Sequence, residues 1–234
     1  MVGRSDSVLL TLLAGNEAHV EGLTPDHFVA VREEQRPAAI TVCCSDSRVS
    51  QEGMWSIDEP GTVFTPSNIG NQTWDDHGGD RIVDGSLLYP IHHAGTEAVA
   101  IVGHTGCGAV TAAYDVATGG KPPGPQGVRK WVELLVPVVE EALESGLIDR
   151  EAATERVVDQ LVEYNVDAQA RFLRNSRDVP ETVSVYGFVY DFHGVYGEEA
   201  GRTYLVNLDG TTDPDRIAEC LPGYDHAVDS LLYG

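Results

Sequence analysis

Apolar positions along the chain fall into two kinds of run. Short, nearly continuous ones bounded by turn-forming residues predict buried strands at Ala38 to Cys43 (AAITVC), Thr62 to Thr65, and Ala98 to Val102 (AVAIV). Longer ones recur at spacings of three and four and predict amphipathic helices. Val128 to Glu144 carries Val128, Trp131, Leu134, Leu135, Val138 and Val139; Arg150 to Arg174 carries Val157, Val158, Leu161, Tyr164, Val166 and Phe172. The pattern returns to strands at Thr182 to Tyr190 and Arg202 to Leu208, separated by the turn-rich Asp191 to Gly201. Near the N-terminus, Val8 to Ala14 reads as the apolar face of a short helix beginning near Ser5 or Ser7. Gly119 to Pro125 must be a loop, because its prolines lack donors and fix φ. Strands interleaved with helices argue for an α/β fold whose largely parallel sheet is covered on both faces. Residues 1–234 read as one domain with a helical N-terminal arm over 1–36. The 119–127 loop is an excursion inside that domain, since neither side of it holds a complete core pattern.

Composition agrees with that reading and adds one anomaly. At 42% hydrophobic and 22% charged, 234 residues can bury a core without disulfides, which excludes collagen, coiled coil and wholesale disorder. Asp+Glu number 37 against 15 Lys+Arg, a net charge of −22, and the only lysines are Lys121 and Lys130. Such an excess repels nucleic acid and anionic membrane surfaces, so neither is expected as a partner. It also strains the fold at low salt, because the Debye length falls from roughly 10 Å at 0.1 M to about 3 Å at 1 M. A salty cytoplasm is therefore the expected setting. No stretch approaches the roughly 18 apolar residues of a membrane span. The Val8–Ala14 run is at the lower limit for a signal peptide, but Asp6 interrupts the basic end before it and no small-residue cleavage site follows, so a signal peptide is not expected. Four cysteines, Cys43, Cys44, Cys107 and Cys220, do not form the framework of a secreted protein, and a reduced, cytoplasmic location fits them.

Chemistry concentrates in two segments. Cys44-Ser45-Asp46-Ser47-Arg48 directly follows the first strand, and His104-Thr105-Gly106-Cys107-Gly108 follows the Ala98–Val102 strand. In an open α/β sheet, ligands bind outside the carboxyl ends of strands, where both segments lie. Two thiolates and an imidazole, Cys44, Cys107 and His104, make a tetrahedral zinc set with one position over, and the soft sulfurs favour Zn2+ to magnesium or calcium. Asp46 can either take that position or turn to Arg48, whose planar fork accepts a carboxylate on two nitrogens. A carboxylate with two possible partners beside a metal reads as a switchable gate.

These CxDSR and HxxC motifs resemble those of the β-class carbonic anhydrases. The likeness extends through Leu12 to Asn16, Gln35 to Pro37, Gly70-Asn71, Ser86 to Tyr89, Asn165-Val166 with Gln169, and Gly187 to Asp191, and so covers most of residues 9–195. The resemblance implies a mainly parallel sheet of four or five strands covered by helices. It also implies a homodimer or multiple of dimers, with the N-terminal helix packed on a neighbouring subunit. By motif position, the metal ligands are Cys44, His104 and Cys107, and the catalytic dyad is Asp46 with Arg48. Asp46 pairs with Arg48 in an open state and is the fourth zinc ligand in a closed one. The implied activity is reversible hydration of carbon dioxide to bicarbonate by zinc-bound hydroxide.

One departure from the family stands out. Arg-Asn-x-Gly-Asn is usual where this chain has Ser67-Asn68-Ile69-Gly70-Asn71, and Thr41 stands where one subgroup has a tryptophan. That arginine and tryptophan help form an inhibitory bicarbonate site, so bicarbonate switching by that route is not expected. Cys43 points to the other side of its strand from Cys44 and reads as core, Cys220 as packing, and Phe64 and Tyr89 as core more than pocket. His92 and His93 end a helix, and His193 lies in a surface turn. Two other readings use the same residues: hydrolysis of carbon disulfide or carbonyl sulfide, and a non-enzymatic zinc or redox sensor.

Overall fold

The computed structural model describes residues 4–233. By its internal contacts the chain divides into two units, Met1–Gln35 and Arg36–Gly234. In the first, helix α1 (Arg4–Gly22) begins slightly ahead of the expected serines and is followed by turns. Val8, Leu9, Leu10, Leu12, Leu13 and Val20 are all exposed on it.

The second unit is built on a sheet. Strands β1 (Ala39–Cys44), β2 (Val63–Phe64), β3 (Ser67–Asn68), β6 (Ala98–His104), β7 (Ser184–Asp191) and β8 (Arg202–Leu208) form it, in the order β2-β1-β6-β7-β8, with β3 also on β1. All pairings are parallel except β7 with β8. β2 and β3 are one edge strand in two pieces: Ala39 faces Val63 and Cys43 faces Ser67, the same offset. Pro66 stands between them and, lacking an N–H, only accepts, its carbonyl taking the Cys43 N–H at 3.2 Å. The sheet thus has five positions, with four strands parallel in the β2-to-β7 direction and the last reversed.

Helices α4 (Gly108–Ala117), α5 (Gln126–Ser145) and α6 (Thr154–Asn175) pack together, with α6 against β6, β7 and β8. Gly103 and Gly187 permit the approach, since a Cβ on either would come within 2.7 Å of a Val166 methyl. Ile40, Val99, Ile101, Val166, Val185 and Val189 are wholly buried there, each such side chain contributing about 1.5–3 kcal/mol. Along β7 the burial alternates: Val185, Gly187, Val189 and Asp191 are enclosed, whereas Tyr186, Phe188 and Tyr190 are half-buried. Cover at β7 is therefore complete on one face only, where the sequence pattern had suggested both.

The remaining elements are α2 (Gln51–Met54), the hairpin β4 (Trp74–His77) and β5 (Asp80–Val83), α3 (Gly85–His93) and α7 (Pro214–Cys220). Asp84 caps α3 by accepting from Ser86 N at 2.7 Å, and Asp213 caps α7. Neither α4, α7 nor the hairpin stood out in the hydrophobic pattern. WDDH and DRIV lack alternation, and α4 is made largely of small residues.

Candidate metal centre

β1 and β6 are adjacent and parallel, so their carboxyl ends deliver Cys44 and His104 to the same edge of the sheet. After β6 the chain turns through Gly106, at φ +64, where a Cβ would come within 2.7 Å of His193 Cε1; only glycine fits that turn without strain. Cys107 follows at the start of α4. The ligand atoms of Cys44, His104 and Cys107 lie within 4.8 Å of one another, and all three residues are buried. The two Sγ atoms are 3.9 Å apart.

The donor set fits a zinc ion on the structure's own terms. His104 Nδ1–H donates to the Thr105 carbonyl at 3.0 Å, so the lone pair sits on Nε2. That Nε2 is buried without a hydrogen-bond partner, which is costly unless something electron-accepting meets it. The thiols are also set for metal. The hydrogen bond shared by the Cys44 and Cys107 Sγ atoms draws Cys44 down to about 4 despite burial, with the Gly70 N–H assisting. Cys107 is correspondingly raised by that bond and by burial. A thiolate is thus held ready among buried groups. Cys43 is fully enclosed and its thiol is pushed up by burial, as a core residue's should be.

Asp46 and Arg48 meet at the open side of this cluster. Arg48 Nε donates to Asp46 Oδ1 at 2.9 Å and Nη2 to Oδ2 at 2.7 Å, a two-point fork, and the Arg48 N–H adds a third bond at 2.9 Å. Asp46 Oδ2 is also 3.7 Å from His104 Nε2. The carboxylate is held well below the usual range, chiefly by the Arg48 guanidinium. The structure therefore shows the paired arrangement, with Asp46 turned to Arg48 while standing within a short step of the ligand atoms.

A sequence profile described as carbonic anhydrase matches residues 39–196, which hold every residue of this cluster. The chain belongs to the β-class carbonic anhydrase family. Among relatives, the carbonic anhydrase of Pseudomonas aeruginosa is 30% identical over 190 residues, covering 79% of each chain. Carbonic anhydrase 2 of Mycobacterium tuberculosis is 31% identical over 157 residues, 64% of this chain and 72% of that one. In fold, the chain is similar to the β-carbonic anhydrase CafA of Aspergillus fumigatus (TM-score 0.68, 24% identity, 95% and 99% of the two chains). It is likewise similar to the Coccomyxa β-carbonic anhydrase solved with acetazolamide (TM-score 0.67, 22% identity, 94% and 92%).

Residues that the motifs did not single out surround this carbonic anhydrase centre. Asp159 on α6 accepts the Gly106 N–H at 2.7 Å, and Asn165 Nδ2 donates to the Gly70 carbonyl at 3.2 Å, so α6 fastens the turn between His104 and Cys107 and the neighbouring Gly70 loop. Buried Asp191 accepts from Thr105 Oγ1 at 3.3 Å and from the N–H groups of His193 and Tyr196 at 3.0 and 2.9 Å. His193 is exposed, as expected, yet its Nδ1 lies 2.8 Å from Thr105 Oγ1. Phe192 stacks on His104. The signal for it was positional: Phe192 follows the carboxyl end of β7, beside β6, the same place in the sheet that marks His104.

At the departure from the family, Gln51 bridges the two substituted positions. Thr41 Oγ1 donates to Gln51 Oε1, and Gln51 Nε2 donates to Ser67 Oγ at 2.8 Å. Neither position supplies charge. Two expectations need correcting. Cys220 is exposed, because α7 turns Ile217 inward and ends. Tyr89 is 51% exposed and meets the rings of His93 and Phe64 at tilted angles on the surface of α3 rather than in the core.

Proposed function

We propose that the protein catalyses the reversible hydration of carbon dioxide to bicarbonate and a proton, with Zn2+ held by Cys44, His104 and Cys107. The observation that carries this reading is the juxtaposition of three buried ligands, two thiols and an imidazole, with a forked Asp46–Arg48 pair 3.7 Å from the His104 nitrogen. A structural zinc site has no use for such a pair, and neither does a redox sensor. Zinc, when bound, supplies Lewis acidity that lowers the pKa of water from roughly 15.7 to about 7. The protein's own part is positioning. Asp46, ionised and fixed by Arg48, accepts a hydrogen bond from the attacking water and aims its lone pair at carbon dioxide. Burial of Cys44, His104 and Cys107 keeps bulk water from the ligand side. Release of Asp46 from Arg48 would let it close the site as a fourth ligand.

The uncharged Thr41–Gln51–Ser67 bridge supports the absence of a bicarbonate-controlled switch at that position. The four cysteines are unbridged, and no helix among the described residues is long and apolar enough to cross a membrane. The unbridged cysteines support a reduced, cytoplasmic setting. The exposed leucines of α1 support assembly as a homodimer or a multiple of dimers; relatives of this fold from Sordaria macrospora are described as tetrameric.

Stopped-flow hydration of carbon dioxide by zinc-loaded protein in about 2 M KCl, from pH 7 to 9, tests the reading; the salt follows from charge screening. Turnover that rises with pH is expected. Inert, folded, zinc-loaded protein would overturn it and leave carbon disulfide, carbonyl sulfide or sensing as the function of the centre.

A further inference from the structure

The ring of Phe192 joins the two halves of the site. It stacks on His104 with centroids 5.5 Å apart and 22° between planes, and Arg48 Cζ stands 4.3 Å from its centroid. The ring itself is held. Buried Asp191, one residue earlier, is anchored by three hydrogen bonds from Thr105, His193 and Tyr196, and Tyr190 packs edge-on at 5.7 Å. Arg48 has no such support of its own. Its side chain is 50% exposed, and among the described residues its ion-pair and ring partners are Asp46 and Phe192 alone. A long cationic side chain half in water samples several rotamers, and the fork to Asp46 orients the guanidinium only while both bonds are made. A fixed aromatic face can hold the guanidinium plane.

We propose that Phe192 is a positioning residue for the reaction: its ring holds the Arg48 guanidinium in the plane that engages both Asp46 oxygens, and so keeps that carboxylate from becoming a metal ligand. The proposal rests on the anhydrase reading for its link to turnover, but not for its link to the metal. Asp46 Oδ2 is already 3.7 Å from His104 Nε2, so an Asp46 freed from its fork needs little movement to join the ligand atoms. Phe192 thus sets how readily the gate closes, through Arg48 and without touching Asp46.

The test compares F192L, F192Y, R48A and the F192L/R48A double variant. Leucine conserves much of the volume but has no π face. F192L should lose kcat about twofold to fivefold, the size of an exposed cation–π contact, with KM unchanged. Zinc should also leave F192L for excess chelator more slowly than it leaves wild type, because Asp46 is added to the ligand set. F192Y should recover most of both effects, and F192L should add nothing on top of R48A. Zinc leaving F192L faster than wild type would mean that the ring merely props up His104, and would overturn the proposal; so would additive effects in the double variant. The zinc-release arm needs no turnover. An inert wild type whose F192L variant still releases zinc slowly would therefore sink the anhydrase reading and leave the clamp standing.

Discussion

Asp46 can pair with Arg48 or join the metal ligands, but not both. In the paired arrangement both its oxygens accept from Arg48, and that pairing holds it ionised far below neutrality. Its charge is therefore constant across the working pH range, and only its orientation changes. Asp46→Asn keeps the shape, loses the charge and weakens the fork. It should retain zinc, since Cys44, His104 and Cys107 are untouched, and lose turnover by about a hundredfold, a typical contribution of a positioned proton acceptor. Metal analysis beside stopped-flow kinetics checks both halves, and unchanged turnover would refute the role. Cys107→Ser should fail differently, with zinc lost to mild chelation and activity lost with it, since a hydroxyl replaces one of the two soft ligands. At the other edge of β1, the Thr41–Gln51–Ser67 bridge leaves no cation to receive bicarbonate. Activity titrated against bicarbonate should therefore show simple product inhibition; a sigmoidal loss would reveal a second binding site.

α6 shows both the reach and the limit of reading elements from periodicity. Val157, Leu161 and Val166 marked it correctly as a helix with an apolar face. The pattern gave no sign that the polar side is buried too, because carboxylates at a spacing of four read by default as a solvated face. Asp159, Glu163 and Asp167 form that stripe, and each fastens something: Asp159 the Gly106 loop, Glu163 the chain end at Ser230 and Leu231 together with Tyr196, and Asp167 the Asn207 side chain. The ligands themselves were legible because strand ends and short motifs are local. The second layer, which includes Asp159 and Phe192, was not, since it depends on contacts across more than fifty residues. Two expectations follow. Asp159→Ala should weaken zinc binding about tenfold, the lower range for loss of an outer-layer partner, measured by chelator competition; unchanged affinity would show that the Gly106 loop holds itself. Glu163 is raised from its ordinary value near 4.5, mainly by burial. A carboxyl raised in the folded state contributes its full stability below that ordinary value and loses it as pH rises through the folded one. Glu163→Gln can still accept from Leu231 while donating to Ser230. Its melting temperature relative to wild type should climb between pH 5 and 8, and a constant difference would exclude a burdened carboxylate.

At the scale of the whole molecule, two surfaces go beyond what one chain needs. One is α1, whose Leu9, Leu12 and Leu13 share a face at spacings of three and four and are each more than half exposed. Monomers rarely leave so contiguous an apolar stripe in water. Serine at those three positions should convert a dimer or larger assembly to monomer in sedimentation velocity without unfolding the sheet, and an unchanged assembly would place the interface elsewhere. The other surface is electrostatic. Asp+Glu 37 against Lys+Arg 15 leaves −22 on one chain, and association brings such chains together, so assembly adds to the self-repulsion that salt must screen. The pairings seen offset little of it: Lys130 engages Asp75, Arg171 engages Glu141 and Asp167, both cationic side chains are 44% exposed, and exposed pairs are worth about 0–1 kcal/mol. Repulsion acts at long range, whereas the sheet core is indifferent to salt through charge. Melting followed by circular dichroism should therefore rise steeply between 0.1 M and 1 M KCl, where the Debye length falls from roughly 10 Å to about 3 Å, and more gently from 1 M to 2 M. Self-association, followed by sedimentation velocity, should tighten over the same interval. Equal melting in 0.1 M and 2 M KCl would mean that the acidic surface is not adapted to brine, and would leave the charge a matter of solubility alone.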